Sequence, residues 1–272
     1  MDIKSILKQN NFIFEKKFGQ NFLTDMELLS SVVKKAGVDE NSTVVEIGVG
    51  AGTLTSAIAT KVNKVFGFEI DTKLKPILNE TLKDFSNVEI IFKDIMKIST
   101  LELENLIGTK YTVIANLPYY ITTPIIMKFI EEAENCEGII VTIQKEVAMR
   151  ICAKEGTSDY GAITASINAV ADSEIIEYIG REKFYPSPNV DSAVVKITIN
   201  KNKYEIKDIV KYRKLIKCAF TMRRKTLLNN LIKNYDISRN QVEEILVKLG
   251  LPIDIRGEAL SSLDYINLCN LL

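Results

Sequence analysis

The chain has 272 residues, 35 lysines and arginines against 35 aspartates and glutamates, and no histidine. At roughly 100 to 200 residues per domain, that length leaves room for one substantial core and a second, smaller unit. No apolar run reaches the roughly 18 residues of a membrane helix, the polar start MDIKSILKQNNF lacks an export signal, and four scattered cysteines without histidine suit neither a zinc site nor a disulfide framework; we expect a cytoplasmic protein that uses no metal and no membrane.

In chain order, the apolar runs TVVEIG (43–48), VFGFEI (65–70), VEIIFK (88–93), YTVIAN (111–116) and GIIVTIQ (138–144) alternate with the helically spaced LTSAIATKV, LKPILNETLKDF and PIIMKFIEEAEN. Near-continuous apolarity marks strands buried on both faces, as in a parallel sheet covered by helices. The pattern predicts an α/β, doubly wound, Rossmann-like fold. After residue 170, SEIIEYIGREKF and SAVVKITI are linked by YPSPNV without a helix between them, which predicts an antiparallel hairpin at the sheet edge. From about 203 onward IVKYRKLIKCAF, RRKTLLNNLIKN, QVEEILVKLG and LDYINLCNLL have three and four spacing, and we expect an all-helical C-terminal domain. The boundary falls between domains 1–200 and 201–272. Twelve lysines and arginines between 201 and 239 face only Glu205, Asp208 and Asp236, which suits either a solvated helix face or a polyanion partner.

The motifs collect at predicted strand ends. VVEIGVGAGTLT puts Gly48, Gly50 and Gly52 at a strand-to-helix turn, where backbone can approach a ligand closely. Thr53 stands where the dinucleotide fingerprint GxGxxG requires glycine, which argues against a nicotinamide or flavin. FEID places Glu69 about 20 residues downstream, suited to two ribose hydroxyls, and FKD places Asp94 at the next strand end. Each acid alone reads as a loop residue or a cap. Together, on successive strand ends, they point to a nucleoside-containing cofactor.

NLPY ends the fourth strand at the same edge. An adenine exocyclic amine is a poor nucleophile because its lone pair is delocalised into the ring. The Asn116 side-chain oxygen can accept one of its hydrogens, and the Leu117 carbonyl, held by Pro118, a second. Tyr119 offers a stacking face worth roughly 1 to 3 kcal/mol. A methyl group arriving from a sulfonium makes the nitrogen cationic, and its proton leaves to water, so positioning and electrostatics replace a histidine base.

On KKFGQNFLTD, VVEIGVGAGTLT, FEID, KDIM, NLPYYITTP, FYPSPNVDSAVV, AFTMRRKTLLNNL and RGEALSSLDY, the sequence resembles the ribosomal RNA adenine dimethyltransferases along nearly its whole length. The likeness is strongest to the kasugamycin-resistance branch, which dimethylates two adjacent adenosines in the terminal hairpin of small-subunit ribosomal RNA. The resemblance implies a class I methyltransferase fold and S-adenosylmethionine as methyl donor. Asn21 and Leu23 would line the cofactor, with Gly48 and Gly50 at its methionine part, Glu69 at the ribose and Asp94 at its adenine. Asn116 would bridge cofactor and target amine, while Phe184 of FYPSP and Tyr119 sandwich a flipped adenine. Tyr120 leaves open which tyrosine stacks. Arg223, Arg224 and Lys225 of the helical tail would contact RNA backbone, within a partly assembled subunit and as a monomer.

Three other readings remain at this point. Macrolide-resistance enzymes share the cofactor core and act on large-subunit RNA, but RRKTLLNNL with RGEALS favours the small-subunit branch. An RNA-binding assembly factor with secondary methylation is opposed by the presence of Asn116 and Tyr119. A dehydrogenase is opposed by Thr53 and by the lack of histidine for hydride-coupled proton transfer.

Overall fold

A computed structural model of the chain describes residues 3–15 and 19–272; Lys16, Lys17 and Phe18 of KKFGQNFLTD lie outside the described residues. The β-branched apolar runs form the strands β1 Phe22–Leu23, β2 Thr43–Ile47, β3 Lys64–Glu69, β4 Val88–Phe92, β5 Tyr111–Asn116, β6 Cys136–Gln144, β7 Ala171–Ile179, β8 Phe184–Tyr185 and β9 Ser192–Ile199. Seven of them build one sheet in the order β4-β3-β2-β5-β6-β9-β7, and β1 pairs with β8 apart from it. The chain runs outward from β2 through β3 to β4, then returns to β5 on the other side of β2. All four pairings among β2, β3, β4, β5 and β6 are parallel. This reversal is a topological switch point, with ligand space outside the carboxyl ends of the strands.

The helices of the first unit are α1 Ile3–Gln9, α2 Met26–Ala36, α3 Thr53–Ala59, α4 Lys75–Thr81, α5 Thr100–Ile107 and α6 Thr122–Glu132, and α7 Lys145–Ile151 follows β6. Leu29, Val32 and Val33 of α2 join Leu54, Ala57 and Ile58 of α3 over Val44, Ile114 and Ile140 of the sheet. Each leucine, isoleucine or valine side chain among them, fully buried, contributes roughly 1.5 to 3 kcal/mol. A second cluster joins Ile3 and Leu7 of α1 to Phe22, Val49, Leu74, Ile77 and Leu78.

The edge of the sheet differs in detail from the expected hairpin. β7 stops at Ile179, a short 3-10 turn spans Arg181–Lys183, and Phe184–Tyr185 pairs antiparallel with β1, Leu23 opposite Phe184. β9 then lies antiparallel against β6 and takes the place between β6 and β7. GREKF therefore leaves the main sheet because its last residues have a separate partner.

The second unit comprises Met149–Ser173 and Asn200–Leu272, the first Met1–Ala148 and Glu174–Ile199. This differs from a single boundary at 200, because 149–173 packs with the C-terminal helices. Its helix α8 Ala162–Asn168 is followed by α9 Ile209–Ala219, α10 Leu227–Asn234, α11 Arg239–Lys248 and α12 Ser262–Leu271. The Tyr212 hydroxyl of α9 donates to the Ala165 carbonyl of α8 (3.1 Å), and Gly156 N–H donates to the Glu258 carbonyl (2.8 Å).

The RRK stretch is not helical. α10 begins only at Leu227, capped by the Thr226 side chain, and the turn before it is held from below by Asn230. This fully buried amide donates to the carbonyls of Ala219, Met222 and Thr226 and accepts from Met222 N–H (3.0 Å). Asn230→Ala strands those groups away from water, at roughly 1 to 3 kcal/mol for each one left unsatisfied. Urea unfolding should show a loss of about 2 to 4 kcal/mol, whereas Asn229→Ala on the exposed side of α10 should change little.

Candidate active site

Four parallel strands end side by side in the order β4, β3, β2, β5; Asp94, Glu69 and Asn116 stand at three of the exits and the glycine turn at that of β2. A cavity of about 320 Å³ lies against them. Asn21, Leu23, Gly48, Gly50, Glu69, Asp94, Asn116, Leu117, Pro118, Tyr119 and Phe184 all line it. Arg223, Arg224 and Lys225 belong to the second unit.

The turn after β2 must pass close to aromatic and helical neighbours. Gly50 has φ of 58°, and a Cβ there would stand 2.8 Å from the Phe22 ring; at Gly52, with φ of 84°, it would stand 2.8 Å from the Thr81 hydroxyl. Only glycine fits such a conformation without strain. Thr53 is explained by the same packing: its hydroxyl donates to the Leu23 carbonyl (2.9 Å) and so ties β1 to the start of α3.

Glu69 stands buried at the end of β3 and accepts three backbone N–H groups. Oε2 takes Gly50 N–H, and Oε1 takes Ile70 N–H and Asp71 N–H, all at 2.8 Å. Burial raises its carboxyl above the usual range, and the three donors oppose that rise. Asp71 in turn accepts from the Gln20 side chain (2.8 Å), which holds the wall at 19–23. Asp94 caps the turn after β4, its Oδ1 accepting from Met96 N–H (3.0 Å).

Asn116 ends β5 with its amide orientation set, since Nδ2 donates to the Asn21 carbonyl (3.0 Å). The side-chain oxygen is left as the acceptor for an incoming amine. Pro118 then starts a turn into α6, its carbonyl accepting Ile121 N–H (3.1 Å) and the Thr122 hydroxyl (3.3 Å). The two tyrosines divide at this point. Tyr119 is half-buried with its hydroxyl 2.9 Å from Ser192 Oγ, while Tyr120 is 66% exposed. Phe184 is only 5% exposed and belongs to the core cluster, yet it reaches the cavity wall.

Sequence reasoning passes over Glu46, which also lines the cavity. It is fully buried, and neither carboxylate oxygen has a hydrogen-bond partner. Burial pushes its carboxyl up to about 8, and nearby Glu69 adds to the rise. The available signal is the acid itself, one charge inside the apolar run TVVEI. A buried carboxyl without a partner avoids the cost of its charge by keeping its proton, and a cationic group entering the cavity would favour its ionised form.

The sequence profile of the family described as "Ribosomal RNA adenine dimethylase" matches residues 11–272. The chain is 39% identical over 279 residues to "Ribosomal RNA small subunit methyltransferase A" of Geobacillus thermodenitrificans (strain NG80-2), covering 99% of this chain and 94% of that one. A solved dimethyladenosine transferase from Plasmodium falciparum superposes with a TM-score of 0.77 at 23% identity, over 91% of this chain and 95% of that one. The 23S rRNA methyltransferase ErmE does so with a TM-score of 0.71 at 24% identity, over 93% and 99%. At these identities the two superpositions are likenesses of fold.

Glu46 makes stability depend on pH in a set direction. Folded, it keeps its proton up to about 8, while the unfolded chain releases it near 4.5. The folded state therefore binds the extra proton between those values, and stability falls as pH rises through that window. Glu46→Gln should raise the melting temperature of the ligand-free protein by several degrees at about pH 9 and leave it nearly unchanged at about pH 5, as read by scanning calorimetry.

Proposed function

The chain belongs to the ribosomal RNA adenine dimethylase family, and from that membership we propose that it dimethylates two adjacent adenosines in the 3′-terminal hairpin of small-subunit ribosomal RNA. The enzyme is a methyltransferase that uses S-adenosylmethionine. What carries the reading of the site is an Asn116 amide oriented by the Asn21 carbonyl, in one cavity with Glu69 and Asp94.

The cavity suits that donor chemically. A cationic methionine part would favour the ionised form of the Glu46 carboxyl, Glu69 keeps one acceptor site beyond its three backbone donors for a ribose hydroxyl, Asp94 can accept from an adenine amino group, and Asn21, Leu23, Gly48 and Gly50 supply the close walls. When bound, S-adenosylmethionine supplies an electrophilic methyl group on a sulfonium. The chain's own residues prepare the amine. In the first transfer the Asn116 oxygen and the Leu117 carbonyl accept its two hydrogens, which localises the lone pair on nitrogen; in the second, the monomethylated nitrogen offers its one remaining hydrogen to one of them. Tyr119 and Phe184 hold the flipped ring between them. After transfer the nitrogen is cationic and acidic enough to release its proton to water, so the absence of histidine costs the reaction nothing.

Assignment to small-subunit RNA is supported by the name and the 39% identity of the Geobacillus relative, which extends through the helical tail. The fold likeness to a 23S enzyme reflects a shared architecture and does not discriminate. Duplex RNA is recognised mainly by shape and backbone, and exposed Arg224 and Lys225 on the turn before α10 suit that task. Arg223 has a different role. Its guanidinium donates to the carbonyls of Ser158 and Tyr160 and pairs with Glu258, bracing the unit. The partner we propose is a partly assembled small subunit in the cytoplasm, bound by a monomer.

Mass spectrometry of nucleosides from unmodified small subunits, incubated with S-adenosylmethionine, should show dimethyladenosine with the wild type. Asn116→Ala should reduce its rate of formation by on the order of a hundredfold. Dimethyladenosine confined to large-subunit RNA would transfer the protein to the macrolide-resistance activity, and none on either would favour the assembly factor. In salt-dependent binding to small subunits, Arg224→Ala and Lys225→Ala should each reduce the log–log slope by about 1. Arg223→Ala should instead lower the melting temperature.

A further inference from the structure

We propose that Ser192 is a positioning residue for methyl transfer: through the Tyr119 hydroxyl it holds the tyrosine ring at the distance from Phe184 that an adenine needs. The proposal rests on the reading of Tyr119 and Phe184 as the two walls of the base pocket.

Ser192 is the first residue of β9, opposite Gln144 of β6 and fully buried. The four residues that follow it in the strand are Ala193, Val194, Val195 and Lys196, the first three also fully buried. A hydroxyl buried in such company is disfavoured unless it is hydrogen-bonded. Its partner is Tyr119, 2.9 Å away, in the loop after β5. The bond spans from one side of β6 to the other, because β6 lies between β5 and β9.

The anchor itself is rigid. Beside Ser192, the Asp191 carbonyl accepts Lys145 N–H (3.0 Å), and Asp191 Oδ1 accepts Arg181 N–H (3.1 Å). The Ser187 hydroxyl closes the intervening loop onto the Arg181 carbonyl (2.9 Å). Phe184 lies at the start of the same stretch, locked opposite Leu23. One short segment, 184–192, thus bears one wall of the pocket at its beginning and the anchor of the other at its end. A bond at the tip of a tyrosine ring fixes where that tip lies and so restrains the first side-chain torsion, which sets the direction in which the ring projects.

The hydroxyl is suited to an anchor and not to a base. Burial raises its pKa above the usual tyrosine value, which keeps the proton on the Tyr119–Ser192 pair.

The test is a double-mutant cycle in the full-length enzyme acting on unmodified small subunits, with Ser192→Ala, Tyr119→Phe and the double variant. Each single change should lower kcat about tenfold, and the double should be no slower than either, since both remove one bond. Cofactor affinity by calorimetry should be unchanged in all three. Tyr119→Phe keeps the ring and leaves the core of β9 intact, so it remains informative if Ser192→Ala fails to fold. Multiplied effects, altered cofactor affinity, or a lower melting temperature with unchanged kcat would overturn the proposal. Tyr119→Ala separates it from its premise: activity close to wild type would remove Tyr119 as a wall altogether, whereas a large loss beside unaffected Ser192→Ala and Tyr119→Phe variants would refute the anchor alone.

Discussion

The three backbone N–H groups converging on the Glu69 carboxylate hold the rest of the site in place. Gly50 N–H comes from the turn after β2, while Ile70 N–H and Asp71 N–H come from the turn after β3. One buried side chain thereby joins two adjacent strand exits, and its three backbone donors satisfy oxygens that burial has taken from water. Asp71 extends the network to Gln20 and hence to the 19–23 wall, and Asn21 extends it to Asn116. Orientation passes from a carboxylate on one strand to an amide two strands away without a titrating base in between.

The parallel core was legible because its signal is local. The run YTVIAN at 111–116 needs both faces covered wherever it is buried, and it forms β5 over those same residues. The convergence of Gly48, Glu69, Asp94 and Asn116 followed from strand order, which the doubly wound topology dictates. Helices α2 and α5 escaped attention despite readable ends, Asp25 with Gly37 and Ser99 with Gly108. Each cap residue also reads as an ordinary loop residue when the flanking strands occupy the eye.

What the sequence hid depends on partners distant along the chain. Phe184 looked like the end of a strand, but its partner is Leu23. Residues 149–173 carry no compositional break, and only contacts such as Tyr212 with Ala165 assign them to the helical unit. Arg223, Arg224 and Lys225 read in the sequence only as three adjacent cations. The carbonyls of Ser158 and Tyr160 single out the first of them for an internal role. Glu46 escaped for the opposite reason, since its significance lies in the lack of any partner for its carboxylate.

The pairing of β1 with β8 has a consequence for how the enzyme is made. The 19–23 wall emerges early in synthesis, but the strand it pairs with is translated only after the whole parallel half of the sheet. Closing so long a loop is slow relative to forming local contacts. A ribosome-bound intermediate that has completed β2 through β6 already possesses the glycine turn and Glu69, yet it lacks Phe184 and the segment that docks Leu23. Partial chains therefore lack one wall of the cavity, which is complete only once the antiparallel edge has been delivered.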